Sequence, residues 1–186
     1  MNRLRIHPTP LAGLLCVQRQ QMGDARGHLT RLFCADELGA VGWRGPVAQV
    51  NHARTAVQGT VRGLHFQTPP HAELKLVSCL RGAVWDVAVD LRMGSPTFLQ
   101  WHAQTLSEQN LHALLIPQGF AHGFQALTDD VELLYCHSQP FSLAADAGLN
   151  PMDPRLAVAW PLPVSLMSDK DRLRPAIGED FEGVLL

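Results

Sequence analysis

The segment RGAVWDVAVDLRMGSP, residues 81–96, predicts the fold class because it holds one complete strand between two turn signals. Hydrophobic side chains recur at every second position from Trp85 to Leu91, and Asp86 and Asp90 lie between them. A period of two is typical of a strand with one face in a core, while RG and MGSP are typical of turns. We therefore expect the Trp85 face to be core and the two aspartates to point the other way.

The same pattern, a short β-type run closed by Gly, Pro, Asn or Asp, recurs along the chain. Short helices fit only at 36–42 and in the C-terminal motifs DPRL and SDKDRLR. Many short strands at close spacing predict an all-β sandwich or barrel, here as a single domain over residues 1–186. The candidate strands cover 49–52, 60–66, 75–80, 83–91, 97–106, 113–116, 122–127 and 131–138.

Strand periodicity also assigns side chains to faces and predicts one hairpin. In 60–66, a strict period of two places His65 on the face opposite Arg62. The turn TDD at 128–130 predicts that 124–126 pairs with 131–135. Small barrels bind ligands in their open ends, so polar side chains on inward-facing positions are the candidate site.

The composition excludes several classes of protein. The chain has 186 residues, 46% of them hydrophobic, and a net charge of -2. Lys and Arg are scattered singly, so we expect binding to neither nucleic acid nor membranes. The apolar run at 11–17 follows two prolines and is too short for a signal peptide. The cysteines lack CxxC spacing, which predicts the reduced thiols of a cytoplasmic protein, at Cys16, Cys34, Cys79 and Cys136.

The histidines near residue 65 raise the question of a metal centre. An HxH pair on a strand aims both rings at one ion, but the residue two after His65 is Gln67, a poor ligand for a transition metal. His71 follows two prolines and is expected in a turn. A metal-dependent cupin using His65, Glu73 and His122 stays open as an alternative, as does a plain core role for His65.

The residues around His65 favour a different chemistry. Arg62 precedes it, Lys75 begins the next candidate strand, and His122 follows the turn PQG. These side chains would give a cationic mouth to a protein that is slightly anionic. Such a site suits a substrate that is anionic at one end and develops negative charge on an oxygen at the other.

At this point the residues resemble the dTDP-4-dehydrorhamnose 3,5-epimerase family, metal-free sugar-nucleotide epimerases of the cupin superfamily. The similarity runs in family order over nearly the whole chain. Its most specific blocks are RGLHFQ (62–67), DVAVDLRMGSPTF (86–98) and IPQGFAHGF (116–124). Further matches are DARG (24–27), QVNHAR (49–54), VELLYCHS (131–138), AWPL (159–162) and SDKD (168–171).

The resemblance implies a cupin-type double-stranded β-helix, or jelly roll, that forms a homodimer and uses no metal or cofactor. It implies inversion of C3 and C5 in a 4-keto-6-deoxyhexose carried on a nucleoside diphosphate. The reaction would convert dTDP-4-dehydro-6-deoxy-D-glucose to dTDP-4-dehydro-L-rhamnose, a step in dTDP-rhamnose supply for lipopolysaccharide or O-antigen. Because a 4-ketone acidifies both flanking carbons, such an enzyme needs a base, an enolate stabiliser and an acid on the opposite face.

The resemblance also implies catalytic roles. His65 would be the base, Asp171 would orient its ring, Lys75 would neutralise the enolate and Tyr135 would reprotonate from the other face. Taken singly, these residues have plainer interpretations, such as a barrel tyrosine, a helix-capping aspartate and a solvated lysine. The family order of the blocks favours the catalytic roles.

Seven more positions match substrate-binding positions of the family. Arg26 would reach the neighbouring subunit's site, which requires the dimer. The pyrophosphate and sugar contacts would be Arg62, His122 and Lys170, and the polar substrate contacts Gln49, Asn51 and Asp146.

Four departures from the family pattern concern ligand recognition. Leu29 and Arg31 stand where a phenylalanine and a glutamate lie near the nucleotide base, and Cys136 and Phe141 replace a lysine and a tyrosine. The reversed charge at Arg31 puts the thymidine preference in doubt. A relative acting on another nucleotide or deoxysugar, or at one carbon only, and a non-catalytic sugar-binding barrel therefore stay open.

Overall fold

The computed structural model describes residues 2–186, which contain thirteen strands. β-Branched and aromatic residues favour strands because their side chains pack well on a pleated, half-buried surface. The strands are β1 (Leu4–Pro8), β2 (Leu15–Arg19), β3 (Gln21–Asp24), β4 (Gly27–Thr30), β5 (Gln49–Thr55), β6 (Val61–Gln67), β7 (Lys75–Arg81), β8 (Ala83–Asp90), β9 (Trp101–Ser107), β10 (His112–Ile116), β11 (Phe120–Ala126), β12 (Val131–His137) and β13 (Asp146–Gly148). The helices are α1 (Ala35–Gly39) and α2 (Asp169–Arg172). No helix in residues 2–186 has the length and apolar character that crossing a membrane requires.

The strands form two antiparallel sheets that pack face to face. The six-stranded sheet has the order β1-β2-β10-β7-β12-β5, and the five-stranded sheet has the order β13-β6-β11-β8-β9. Strands that are distant in the chain are neighbours in both sheets, as in a jelly roll. The two remaining strands, β3 and β4, pair only with each other in an exposed ribbon. The predicted all-β, cupin-type jelly roll is confirmed.

The core has three parts, so both faces of the central strands are buried. Val84 and Ala88 of β8 face Val77 of β7 and Leu114 of β10 between the sheets. The opposite face of β8 packs against the C-terminal segment, and the outer face of the six-stranded sheet packs against the segment around α1. The sequence predicted a core only on the Trp85 face of β8. In the structure the opposite face of β8, with Val84 and Ala88, is buried as well.

The two aspartates opposite that face are also buried, at 0% exposure. Asp90 accepts hydrogen bonds from the side chains of Arg92, Ser95 and Thr97 in the turn after β8, with donor–acceptor distances of 2.6–2.9 Å. Asp86 points between the sheets. An aspartate in an alternating strand thus proved to mark the inside of the sandwich rather than its solvent side.

All eight candidate strands are present, with ends shifted by a few residues. The largest shift is at 97–106, where the strand begins only at Trp101 because 97–100 completes the turn after Pro96. DPRL forms no helix, because Asp153 accepts hydrogen bonds from the backbone N–H groups of Arg155 and Ile177 instead. SDKDRLR does form α2, and Ser168 caps it by accepting from the N–H of Asp171.

The expected hairpin of 124–126 with 131–135 was wrong. β11 belongs to the five-stranded sheet and β12 to the six-stranded sheet, so 127–130 crosses between the sheets. Phe124 and Leu133 meet across the core as facing side chains rather than as strand neighbours. Alternation alone cannot separate these arrangements, since both bury the same face.

The expected separation of His65 from Arg62 was also wrong. His65 pairs with His122 and Arg62 with Phe124, so β6 advances three residues while β11 advances two. This irregularity turns Arg62 and His65 toward the same cavity. It lies at Gly63, where φ is +126° and a Cβ atom would come within 2.5 Å of the backbone of β11, so only glycine fits.

Candidate active site

A cavity of ≈ 520 Å³ opens between the two sheets, and we call it the tyrosine cavity. Its polar lining includes Arg62, His65, Lys75, His122 and Tyr135. These side chains come from β6, β7, β11 and β12, which lie in both sheets. The sandwich therefore assembles, at one place, side chains that are up to 73 residues apart in the sequence.

A second cavity of ≈ 260 Å³ adjoins it, and we call it the side cavity. Asn51, His65, Lys75 and His137 line both cavities, so the two cavities are adjacent. Of the eleven predicted site residues, six line the tyrosine cavity and three more line only the side cavity. Those three are Gln49, Asp146 and Lys170.

The tenth, Asp171, contacts His65 from behind. His65 Nε2 and Asp171 Oδ1 are 2.6 Å apart, and the Gly63 N–H donates to Oδ2 at 3.4 Å. Burial acts to raise the pKa of Asp171, but the hydrogen bond and charge of His65 outweigh it and lower the pKa. With Nε2–H donating to the carboxylate, Nδ1 is left with the free lone pair, as a general base requires.

Lys75 is held as a buried cation next to His65. Its Nζ lies 2.9 Å from Glu73 Oε1 and donates to the His65 carbonyl at 3.3 Å. Gln67 donates to the other carboxylate oxygen of Glu73 at 2.6 Å. The lysine is therefore charge-balanced and fixed in place before any ligand binds.

The alternative metal centre is not assembled. His65 is bonded to Asp171, Glu73 to Lys75, and His122 to Asp86, so each proposed ligand has a different partner. Throughout residues 2–186, no three His, Cys, Asp or Glu side chains are arranged to hold a metal ion.

Tyr135 lies between two histidine rings. His122 meets it edge-on, at 6.0 Å between centroids and 72°, and His137 stacks on it at 6.0 Å and 16°. Its hydroxyl forms no hydrogen bond within the described chain, residues 2–186. Burial, followed by the negative charge of Asp86, raises the pKa of Tyr135 above its ordinary range. The phenol therefore stays protonated at neutral pH and can act as a proton donor.

Asp86 is a site residue that the sequence reasoning missed. Its Oδ1 lies 2.8 Å from His122 Nε2, and its Oδ2 has no hydrogen-bond partner within residues 2–186. Burial raises the pKa of Asp86, although His122 and Lys75 oppose that effect. Its inward-facing position follows from the pairing of β8 with β11, where Asp86 lies opposite Phe124, and alternation along β8 alone gave no signal for it.

His137 is the second missed residue. It lies two residues after Tyr135 on the same face of β12 and pairs with Gln49 on one side and Lys75 on the other. Burial, followed by the charge of Lys75, lowers the pKa of His137 to about 4, so the ring is neutral at pH 7. Its spacing of two from Tyr135 was the signal available in the sequence.

The side cavity carries the predicted polar substrate contacts and Lys170, one of the predicted pyrophosphate and sugar contacts. Lys170 Nζ and Asp146 Oδ2 are 2.5 Å apart, and Gln49 donates to Asn51 at 3.0 Å. The Phe141 ring is exposed at the cavity's edge. His71 lies in the expected turn and lines neither cavity.

Arg26 is the one predicted residue that lies apart from the site. It sits on the β3–β4 ribbon, is highly exposed, and pairs with Asp24. Leu29 is exposed on the same ribbon. Arg31 Nη1 lies 2.5 Å from Oε1 of Glu37 in α1. The other carboxylate oxygen of Glu37 accepts hydrogen bonds from the backbone N–H groups of Arg3 and Leu4. The reversed charge at Arg31 is thus neutralised within the chain.

The fold and the site together define a cupin-type jelly roll in which a His–Asp pair, a lysine and a tyrosine meet in one cavity between the sheets. The family model for dTDP-4-dehydrorhamnose 3,5-epimerase matches residues 8–179. The chain belongs to this epimerase family.

Relatives span nearly the same length. The dTDP-4-dehydrorhamnose 3,5-epimerase of Streptomyces griseus is 39% identical over 94% of this chain and 87% of its own. The dTDP-4-dehydrorhamnose 3-epimerase of Streptomyces niveus is 36% identical over 98% and 88%. The structure of the Bacillus anthracis 3,5-epimerase with TDP and pyrophosphate bound superposes with a TM-score of 0.89 at 37% identity, covering 94% of this chain and 99% of that one.

Proposed function

We propose that residues 1–186 form one catalytic domain, a sugar-nucleotide epimerase that inverts C3, C5 or both in a dTDP-4-keto-6-deoxyhexose. The substrate would be of the dTDP-4-dehydro-6-deoxy-D-glucose type. The observation that carries the proposal is the His65–Asp171 pair in one cavity with Lys75 and Tyr135. Family membership supports the same reaction.

Proton removal is assigned to His65. The 4-ketone acidifies the C–H bonds on both flanking carbons, and the Nδ1 lone pair would accept one of these protons. The Asp171 carboxylate then stabilises the resulting imidazolium through Nε2–H, at 2.6 Å. No cofactor is needed, because proton transfer at an activated carbon changes no oxidation state.

Stabilisation of the enolate is assigned to Lys75. A compact ammonium group is suited to a point of negative charge on the former ketone oxygen. Glu73 and Gln67 hold this group in place, so little reorganisation is needed when charge develops. The enolate oxygen would compete with Glu73 for the same cation.

Reprotonation from the opposite face is assigned to Tyr135. Its raised pKa keeps the phenol protonated, and its hydroxyl makes no competing hydrogen bond within residues 2–186. Delivery of this proton on the face away from His65 inverts the carbon, whereas return of a proton by His65 restores it. Protonation by Tyr135 would therefore give inversion, and protonation by His65 would give exchange without inversion.

The phosphates are assigned to Arg62 and Lys170. The Arg62 guanidinium donates to the Arg54 carbonyl at 3.1 Å and forms no ion pair within residues 2–186, so its charge is available to an anion. Gln49, Asn51 and Asp146 are the polar contacts proposed for the rest of the nucleotide sugar.

The proposal includes a homodimer in the cytoplasm, supplying a dTDP-rhamnose type of pathway to a cell-surface polysaccharide. Arg26 of one subunit would complete the site of its partner, because within residues 2–186 the β3–β4 ribbon pairs with neither main sheet and exposes Met22 and Leu29. Free thiols at all four cysteines fit a reducing compartment.

Solvent exchange tests the proposed function. In D₂O with EDTA, we expect the enzyme to incorporate deuterium at C3 or C5 of dTDP-4-dehydro-6-deoxy-D-glucose. NMR measures the deuterium content at each carbon. The UDP, CDP and GDP analogues are assayed as alternative substrates, and label at one carbon or at both separates a one-carbon from a two-carbon enzyme. Absence of exchange with every nucleotide would exclude the reaction.

Tyr135→Phe tests the division of labour within the site. We expect inversion to fall by about 1,000-fold, because the acid is lost, while exchange catalysed by His65 stays within about fivefold of the parent. Deuterium content and product configuration are measured in the same NMR samples. A variant that inverts both carbons at the parent rate would mean that Tyr135 is not the acid.

A further inference from the structure

His137 occupies the junction of the two cavities. It is one of four residues that line both of them, and its strand partners are Gln49, which lines only the side cavity, and Lys75, which lines both. It also stacks on Tyr135, the assigned acid. A group in this position touches both ends of the site.

A chain of hydrogen bonds connects His137 to the edge of the side cavity. The Phe141 N–H donates to Gln49 Oε1 at 2.9 Å, and Gln49 Nε2 donates to Asn51 Oδ1 at 3.0 Å. Asn51 Nδ2 then lies 3.5 Å from His137 Nε2. Because an amide nitrogen can only donate, Nε2 is the acceptor and the ring proton resides on Nδ1.

The neighbours of the ring favour this neutral form. Lys75 lies beside His137 in the strand register, and its charge, together with burial of the ring, opposes protonation. His122 acts in the same direction, while Glu73 opposes it. A neutral ring with one fixed proton can stack on Tyr135 in one orientation.

We propose that His137 is a positioning residue: its ring, held by the hydrogen bonds that begin at Phe141, fixes the ring plane of Tyr135 and couples the side cavity to proton donation. The inference rests on the proposed function. It extends that function by naming a residue that determines how often an enolate is inverted rather than returned. A ligand that shifts the Phe141 backbone would change the orientation of Tyr135 through three hydrogen bonds.

Two variants of His137 separate its two contacts. Gln places an amide oxygen near the position of Nε2 and keeps the bond from Asn51, but it removes the stack. Phe keeps the stack and removes the hydrogen bond. We expect the ratio of inversion to exchange to fall about tenfold in His137→Gln and about threefold in His137→Phe, since small displacements of a reacting group have large effects on rate.

The ratio is the decisive readout because a general loss of folding lowers exchange and inversion together. His71→Gln is the matched control, since His71 lines neither cavity, and it should leave the ratio unchanged. An active parent enzyme with unchanged ratios in both His137 variants would overturn the inference.

The imidazole of His137 gives a readout that needs no turnover. In ¹⁵N-labelled protein, we expect a neutral Nδ1–H tautomer at pH 7 whose ¹⁵N shifts change on addition of dTDP. A protonated ring, an Nε2–H tautomer or unchanged shifts with dTDP bound would overturn the inference. If the parent catalyses neither exchange nor inversion, the proposed function fails, and the tautomer still decides whether the hydrogen-bonded connection exists.

Discussion

His65 and His122 lie opposite each other on β6 and β11, and each is bonded through Nε2 to an aspartate, yet their surroundings differ. The His65 side chain is 39% exposed, whereas that of His122 is 7% exposed and its partner Asp86 is fully buried. Both rings have a carboxylate. Greater exposure within the shared cavity, rather than pairing, is what makes His65 the candidate base.

The carboxylates of Asp171 and Asp86 also differ, in their hydrogen bonding and in the direction of their pKa shifts. Asp171 accepts from His65 and from the Gly63 N–H, and its pKa is lowered. Asp86 accepts only from His122 within residues 2–186, and burial raises its pKa. The Asp171 pair is therefore suited to stabilising a newly formed imidazolium, and the Asp86 pair to fixing His122 beside Tyr135 and keeping the phenol protonated.

Removal of the exposed ring should have the largest effect. We expect His65→Ala to lower deuterium exchange and inversion by more than about 1,000-fold, because His65 is the more exposed of the two aspartate-paired histidines in the cavity. Exchange is followed by NMR, and the melting temperature reports on folding. Exchange above a tenth of the parent rate, in a folded variant, would transfer the role of base to another residue.

Loss of the charge behind His65 should come next. Asp171→Asn keeps the shape of the side chain but no longer stabilises the imidazolium, so we expect about a 100-fold fall in exchange with little change in KM. Steady-state kinetics with the exchange assay measure both quantities. A rise in KM with unchanged kcat would instead make Asp171 a binding residue.

The matched change at the buried pair should have a smaller effect. For Asp86→Asn we expect a fall in exchange of about tenfold or less, since His122 keeps an acceptor and is not the base. Exchange in this variant is compared directly with exchange in Asp171→Asn. If both variants lost activity equally, the distinction between an open and a buried pair would be wrong.

The sequence predicted the fold class well because alternation and turns are local signals. The strands of the two sheets were located to within a few residues, apart from β1 to β4 and β13, which are short and have weak alternation. The pairing of β11 with β8 rather than β12 could not be predicted, since facing strands and neighbouring strands bury the same side chains.

The site was predicted in part, and mainly through the resemblance. The contact of His65 with Asp171 joins residues 106 apart, so local pattern could not supply it. Arg62 was assigned to the wrong face because a register shift at Gly63 interrupts the period of two. Asp86 was taken as lying outside the core because alternation does not reveal that both faces of β8 are covered.

The smallest expected difference between Asp171 and Asp86 is in how each affects the pH dependence of the free energy of unfolding. The pKa of Asp171 is below its ordinary value of 3.8, so its contribution is present above that pH and is lost as the pH falls. The pKa of Asp86 is raised, so its contribution is greatest below 3.8 and is lost as the pH rises through its folded-state pKa.

We expect Asp171→Asn to lower the free energy of unfolding by about 1 kcal/mol more at pH 7 than at pH 3, because protonation of this carboxyl in the unfolded chain below its ordinary pKa of 3.8 removes part of the parent's stabilisation. Asp86→Asn should show the opposite trend, with its cost relative to the parent smaller at pH 7 than at pH 4, because the amide avoids burying a charge. Urea unfolding of the parent and both variants across this range measures the differences. Parallel pH profiles for the two variants would mean that burial and hydrogen bonding do not set the two carboxylates apart.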